Sequence, residues 1–228
     1  MRFLRSSLLA ALLAGAPAAA LLVPSDARAS VSIAIAFDAL VKDADSVGVV
    51  TPQEAKSVWE DGRIYTYTRV KIDQGVAGEL GTGAEAWVRT MGGVVGKIGQ
   101  MVDGEPVLTT NKPALLFLRK LKTGSGWEVS ARAQGQYPVL TEETSKTRKL
   151  IRANSVGVLF PPRVDAAATA VTGPTIQSLA TPAGGTASAP ATARLAGEVI
   201  HDRPLDDVAR EVATTWKKLH RVPTPDKK

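Results

Sequence analysis

The chain has 228 residues, 28 Lys and Arg against 22 Asp and Glu, a formal net charge of +6, and no cysteine. The lack of cysteine excludes disulfides, a thiolate nucleophile, Cys-ligated metal and a lipid-modified cysteine at a processing site. The positive charge is dispersed rather than blocked, which is a solubility pattern and not the footprint of a nucleic-acid-binding protein.

Residues 1–29 read as an export signal. Arg2 and Arg5 give a positive start, residues 8–23 form an apolar run, and Ala27 and Ala29 sit at the two positions a signal peptidase reads. Pro17 and Pro24 interrupt the run and no stop-transfer pattern follows, so no transmembrane anchor is expected after cleavage. The signal holds three Arg and one Asp, which leaves about +4 on a mature chain starting at Ser30. Export without cysteine fits a bacterial periplasmic or secreted protein, and the remaining length suits one domain with a single core.

In residues 31–44, Ile33, Phe37, Leu40 and Val41 fall at helical spacing, and the alternation over 31–35 allows a strand at the start. Residues 46–51 predict a short Val-rich strand that Pro52 ends, as an edge or a bulge. Asp61-Gly62 is a hairpin turn just after Trp59. Residues 63–72 alternate over ten positions. Ile64, Thr66, Thr68, Val70 and Ile72 take one face, and Arg63, Tyr65, Tyr67, Arg69 and Lys71 the other. The second face reads either as a stacking platform for a base or sugar or as a solvated face with cross-strand Tyr packing.

Residues 75–83 predict a loop, with glycine at 75, 78, 81 and 83, and residues 85–90 a strand. A loop with Gly92, Gly93, Gly96, Gly99 and Gln100 follows. After Pro113, Ala-Leu-Leu-Phe-Leu-Arg over 114–119 predicts a strand buried on both faces. Residues 127–134 alternate as a half-buried strand that Gly135 breaks, and residues 150–160 are a weaker strand candidate. Residues 165–193 are mostly Ala, Thr, Pro, Gly and Ser, which predicts a disordered linker. Beyond it, Leu205, Val208, Ala209, Val212, Trp216 and Leu219 form one stripe of a helix with Asp206 and Asp207 in its first turn. That stripe either docks on the barrel or receives a partner protein.

Little in the sequence points to catalysis. The glycine loop lacks the Gly-x-Gly-x-x-Gly order of a dinucleotide site and the Gly-Lys-Ser/Thr ending of a phosphate loop, so no cofactor is expected. Its glycines serve a tight barrel corner, or present backbone N–H groups and Lys97 to an anion. His201 and His220 are the only histidines, both in the C-terminal segment, which argues against a zinc site or a Ser-His-Asp triad. Asp43/Asp45, Glu60/Asp61 and Glu142/Glu143 read as solvated turn residues.

Five strings in fixed order carry a resemblance. They are Ser-Val-Trp-Glu-Asp-Gly-Arg-Ile-Tyr-Thr from Ser57, Val-Arg-Thr-Met-Gly-Gly-Val-Val-Gly-Lys-Ile-Gly-Gln ending at Gln100, Gly-Glu-Pro from Gly104, Leu-Leu-Phe-Leu-Arg from Leu115, and Ala-Gln-Gly-Gln-Tyr from Ala133. Over residues 37–140 the chain resembles an uncharacterised group of exported bacterial proteins. That group is similar to the OB-type barrel of netrin and tissue-inhibitor-of-metalloproteinase domains. The inhibitory chemistry of those inhibitors rests on an N-terminal Cys, which this chain lacks, so a shared barrel would not bring that activity with it.

The sequence therefore predicts a mainly β chain: a small OB-like barrel of five to six strands over residues 30–163, with a short N-terminal helix. A disordered linker over 164–195 and a C-terminal amphipathic helix within 196–228 follow. The expected role is non-enzymatic binding, in the periplasm or outside the cell, to another envelope or secreted protein. The surfaces for it are the glycine loop or the Leu205–Leu219 face. Trp59, Arg63, Gly92, Gly93, Lys97, Gly99, Gln100 and Gln134 form the candidate binding set, with no catalytic or metal residues assigned. The alternatives are a protease-associated module, inhibitor or pro-domain-like, and a carboxylate-based hydrolase.

Overall fold

The computed structural model describes residues 31–161 and 194–220. The expected export signal and all but the last two residues of the expected linker lie outside the described residues. Strand β1 (Val31–Ile33) and helix α1 (Phe37–Asp43) open the chain, so its first segment holds both elements that its periodicity allows.

Strands β2 (Ser46–Glu60) and β3 (Arg63–Gly78) form one long hairpin. Asp61 and Gly62 turn it with φ of 49° and 75°, the positive pair that a tight two-residue hairpin needs. Both strands outrun their expected lengths. Pro52 does not end β2: the register shifts between Pro52 and Glu54, and this bulge accommodates a residue with no N–H to donate. The loop expected from residue 75 begins only after Gly78. Two more register shifts, at Val47/Gly48 and Val49/Val50, curl that end of the hairpin.

Strand β4 (Glu85–Met91) pairs with β3, and a small hairpin of β5 (Gly93–Val95) and β6 (Ile98–Gln100) follows. Strand β7 (Ala114–Lys120) pairs with β2, and β8 (Trp127–Val129) bridges β7 to β4, which closes a five-stranded barrel in the order β7-β2-β3-β4-β8. All contacts around it are antiparallel except β4 with β8. The protein is thus mainly β, a small OB-like barrel.

The strand expected over 127–134 stops at Val129. Ala131 and Arg132 take φ of 53° and 55°, and a 3-10 turn (Arg132–Gly135) throws the chain out of the ladder. It returns as β9 (Gln136–Thr141), which pairs with the first half of the same strand β7. Strand β10 (Arg148–Leu150) extends this edge, and β11 (Val158–Phe160) pairs parallel with β1. The weak candidate over 150–160 is therefore two short strands.

The C-terminal segment adds α2 (Ala196–Ile200), β12 (Arg203–Pro204) and α3 (Leu205–Leu219). Strand β12 extends the sheet beside β10. Leu205, Val208 and Val212 are buried in a cluster with Phe37, Leu40, Phe117 and Leu150. Most of the α3 stripe is therefore covered by this chain, the docking alternative of the two, with Trp216 and Leu219 half-buried against the same cluster.

Two cores result. Val50, Val70, Ile72, Val88, Leu116 and Leu118 fill the barrel, and the helices pack on its outside. Strands β2 and β7 serve both, since Val47, Val49, Leu115 and Phe117 face the helices while Val50, Leu116 and Leu118 face inward. This is the two-sided burial that the apolar run over 114–119 predicts.

Glu211 pins α3 to the segment before it, accepting from Arg194 at 2.8 Å and from Arg203 at 2.7 Å. The Arg203 hydrogen bond first, and Arg194 with it, hold its carboxyl below the ordinary value of 4.5 against an opposing effect of burial. A carboxyl depressed in the folded state stabilises the fold above its unfolded value, and that stabilisation is lost as pH falls through the folded value. Glu211→Gln is expected to cost about 1 kcal/mol at pH 7, a difference that shrinks in denaturant melts run below pH 4.5. Leu205→Ala is expected to cost about 2–5 kcal/mol by the same measurement, because it opens a cavity in the helix-side core; a loss under about 0.5 kcal/mol would mean that α3 is not docked.

Candidate functional site

The glycine-rich stretch is a flap over one end of the barrel. Gly92 and Gly93 have φ of 101° and 132°, which bends the chain back across the β2–β3 hairpin. A β-carbon on Gly93 would collide with Thr66 Oγ1 and Ser57 Oγ, so only glycine fits where the flap meets the barrel. Ser57 Oγ and Thr66 Oγ1 lie 2.8 Å apart, and Thr66 donates to Gly92 O at 2.7 Å.

Ile64 anchors the flap from below. Its carbonyl accepts from Gly92 N at 2.7 Å, and its N–H donates to Gln100 Oε1 at 2.7 Å. Gln100 therefore latches the returning strand instead of pointing outward. Lys97 and Gly99 are exposed, Lys97 beside Gly96 at the turn of the flap. Trp59 pairs across β2–β3 with Ile64 and is 55% exposed; Val94 and Ile98 of the flap are 66% and 58% exposed. Arg63, exposed at the start of β3, points its Nη1 at Met91 Sδ, 4.0 Å away.

The structure thus brings Trp59, Arg63, Gly92, Gly93, Lys97, Gly99 and Gln100 to one end of the barrel. Gln134 lies elsewhere. It sits in the 3-10 turn, where Oε1 accepts from Ile35 N and Nε2 donates to Ile33 O, both at 3.0 Å. It ties the N-terminal segment to the barrel.

The aromatic and basic face of β3 is engaged across its strands. Tyr67 donates to Glu60 at 2.8 Å, and burial first, then Glu60, raises its phenol above the usual value. Arg69 pairs with Glu54 at 3.1 Å and Glu85 at 3.2 Å. Arg89 lies 4.7 Å over the ring of Tyr65. This is cross-strand packing, with one ring face of Tyr65 covered by Arg89.

Beside the flap base, a cleft of about 180 Å³ lies between Tyr65, Arg89, Glu105, Arg119, Glu128 and Arg132. Its two carboxylates bear on the hydrolase alternative. Glu105 accepts from Met91 N at 3.1 Å and pairs with Arg132 Nε at 3.1 Å. Glu128 accepts from Arg119 Nε at 2.7 Å. A carboxyl that acts as a proton donor is kept neutral by an apolar or like-charged setting; both of these face guanidinium groups instead. Among the described residues no group of three His, Asp or Glu side chains could hold a metal. His201 accepts from Arg152 N at 3.1 Å, and His220 stacks on Trp216 at 3.8 Å.

The sequence reading did not single out the cleft residues. They come from four strands, a loop and a 3-10 turn, so no spacing marks them. Tyr65, on the aromatic face of the strand over 63–72, and Glu128, in the alternation over 127–134, are the traces visible in sequence. No family model matches the chain, nor does a curated protein or a solved structure.

Gln100→Ala is expected to leave the buried Ile64 N–H without a partner and cost about 1–3 kcal/mol. Hydrogen exchange at the Ile64 amide is expected to speed up while exchange in β7 stays slow, which reads opening of the flap alone.

Proposed function

We propose that the chain is an exported binding protein that engages another protein of the cell envelope through the flap end of the barrel. One observation carries the reading: Trp59, Val94 and Ile98, three large apolar side chains, are exposed on backbone that Ile64, Gly92 and Gln100 hold in place. Single exposed apolar residues are ordinary, whereas a group of them on a fixed support is what a protein interface uses as its anchor. An exposed tryptophan such as Trp59 suits a hot spot, because its area is large and its rotamer entropy small. Residues 1–29, read as an export signal, support an encounter in the periplasm or beyond it.

The fold alone supports no particular partner, since one barrel hosts many functions. The reading makes the flap a presenter of side chains and not a cofactor loop. Cross-linking in the native envelope fraction, followed by capture of the mature protein, is expected to recover a defined partner. Val94→Asp together with Trp59→Ala is expected to lose at least about tenfold in that capture with little change in melting temperature. Undiminished capture by a stably folded double variant would remove the flap as the site. N-terminal sequencing of the mature protein is expected to begin at Ser30; a retained Met1 would remove the exported setting.

A further inference from the structure

We propose that the cleft beside the flap base is a second binding site, for a small monocarboxylate with a ring-sized body. It stands on residues other than the exposed flap side chains and does not depend on the partner-binding reading.

The cleft is built around a row of charges at one level of the sheet. Arg89 of β4 is opposite Glu128 of β8, and Glu128 is opposite Arg119 of β7. Glu128 gives Oε1 to Arg119 Nε at 2.7 Å and stands 3.9 Å from Arg89 Nη2, too long for a hydrogen bond. Arg132 comes in from the 3-10 turn, and Glu105 Oε1 lies 3.1 Å from its Nε. Both oxygens of Glu105 are used, the second by Met91 N.

In two of the three arginines the carboxylate takes the Nε edge. The terminal nitrogens are left over: Arg132 Nη1 and Nη2 and Arg119 Nη2 make no hydrogen bond among the described residues, and Arg119 Nη1 reaches Asp43 Oδ2 at 3.3 Å. A guanidinium held by its Nε side presents its terminal N–H groups in a fixed orientation. That orientation suits the two oxygens of a carboxylate, which accept a pair of parallel N–H bonds.

The backbone adds an independent sign. Ala131 and Arg132 are consecutive non-glycine residues with φ of 53° and 55°. Such a conformation costs free energy at each residue and persists where the surroundings hold it, often beside functional sites. Here it breaks the β8 ladder and carries Arg132 out to the cleft. Ala133 N, donating to Gly104 O at 3.0 Å, fastens the turn to the loop that bears Glu105.

Charge and size select the ligand. Three guanidinium groups of the lining face Glu105 and Glu128, and Asp43 outside it takes only Nη1 of Arg119, so the N–H groups left over on Arg119 and Arg132 suit a single anion rather than a polyanion. The volume of about 180 Å³ is close to the ~150 Å³ of an engineered cavity that admits benzene, which bounds the body of the ligand at about one six-membered ring. Pro106 and Val129 line the same space and give the ring apolar contact.

The test is an NMR titration of the mature full-length protein, reading the arginine Nε resonances, with sodium benzoate as the probe. Benzyl alcohol, phenyl phosphate and sodium chloride at matched ionic strength are the controls. Benzoate is expected to shift Arg119 and Arg132 saturably, and benzyl alcohol and chloride are not. Arg132→Gln is expected to weaken benzoate binding at least about tenfold, with Arg132→Lys between it and the parent because the charge remains and the fork is lost. Arg89→Gln gives the same test from the opposite wall should Arg132→Gln fail to fold. Val94→Asp, on the flap, is expected to leave benzoate binding unchanged. Equal shifts with benzyl alcohol or chloride, tighter binding of phenyl phosphate than of benzoate, or undiminished binding by the folded arginine variants would each overturn the proposal.

Discussion

Everything in this molecule leans on the pairing of β2 with β7. Five consecutive residues of each strand match, Ser46 to Leu118 through Val50 to Ala114, and the first five residues of β7 are buried. A strand buried on both sides must find apolar neighbours on both sides, or it strands large side chains in water. The barrel interior meets the demand on one face. It leaves Val47, Val49, Leu115 and Phe117 on the other, and α1, α2 and α3 exist to cover them. The helices are thus a consequence of the β2–β7 wall. The C-terminal segment is part of the domain core despite the low-complexity stretch that separates it in sequence.

The same wall explains why the two candidate surfaces lie elsewhere. Side chains of β2 and β7 that point into either core have no freedom to bind anything. Surface is left where β2 and β3 run past the barrel, at Trp59 and the flap, and where β3, β4 and β8 turn outward, at Tyr65, Arg89 and Glu128. At both places the backbone leaves regular ladder geometry. Gly92 and Gly93 do it with positive φ at little cost, as glycine can. Ala131 and Arg132 do it without glycine, and that is the more informative departure, since local preference opposes it.

Legibility followed periodicity. The faces of β3 and the double burial of β7 could be read because period two and unbroken apolarity are statements about neighbours in sequence. The α3 stripe was equally clear, but its destination was not: nothing in residues 205–219 encodes that Phe37 and Leu150 wait to receive them. Strand ends were read too short at Pro52 and at Gly75 because those residues signal breaks, and bulges absorb a break without ending a strand. Of the site, the flap was visible as composition. The role of Gln100 was not, since a side chain that bonds a backbone N–H thirty-six positions away leaves no local mark.

The break after Val129 joins these strands of argument. Continued in register, residues 130–135 would have run straight on along β7, and Arg132 would have been one more outward arginine on a sheet face. The left-handed pair instead loops the chain out, lets β9 resume on β7, puts Gln134 against Ile33 and Ile35, and sets Arg132 beside Glu105. One local distortion therefore serves the fold and the cleft together. Glycine at 131 or 132 would relax the strain at no cost to the turn. That the sequence holds alanine and arginine there means the turn is kept by its surroundings, by Gly104 O and by Glu105, both of which follow the flap. Flap, turn and cleft are thereby mechanically joined, so displacement of the flap base would reach the guanidinium of Arg132 through Glu105.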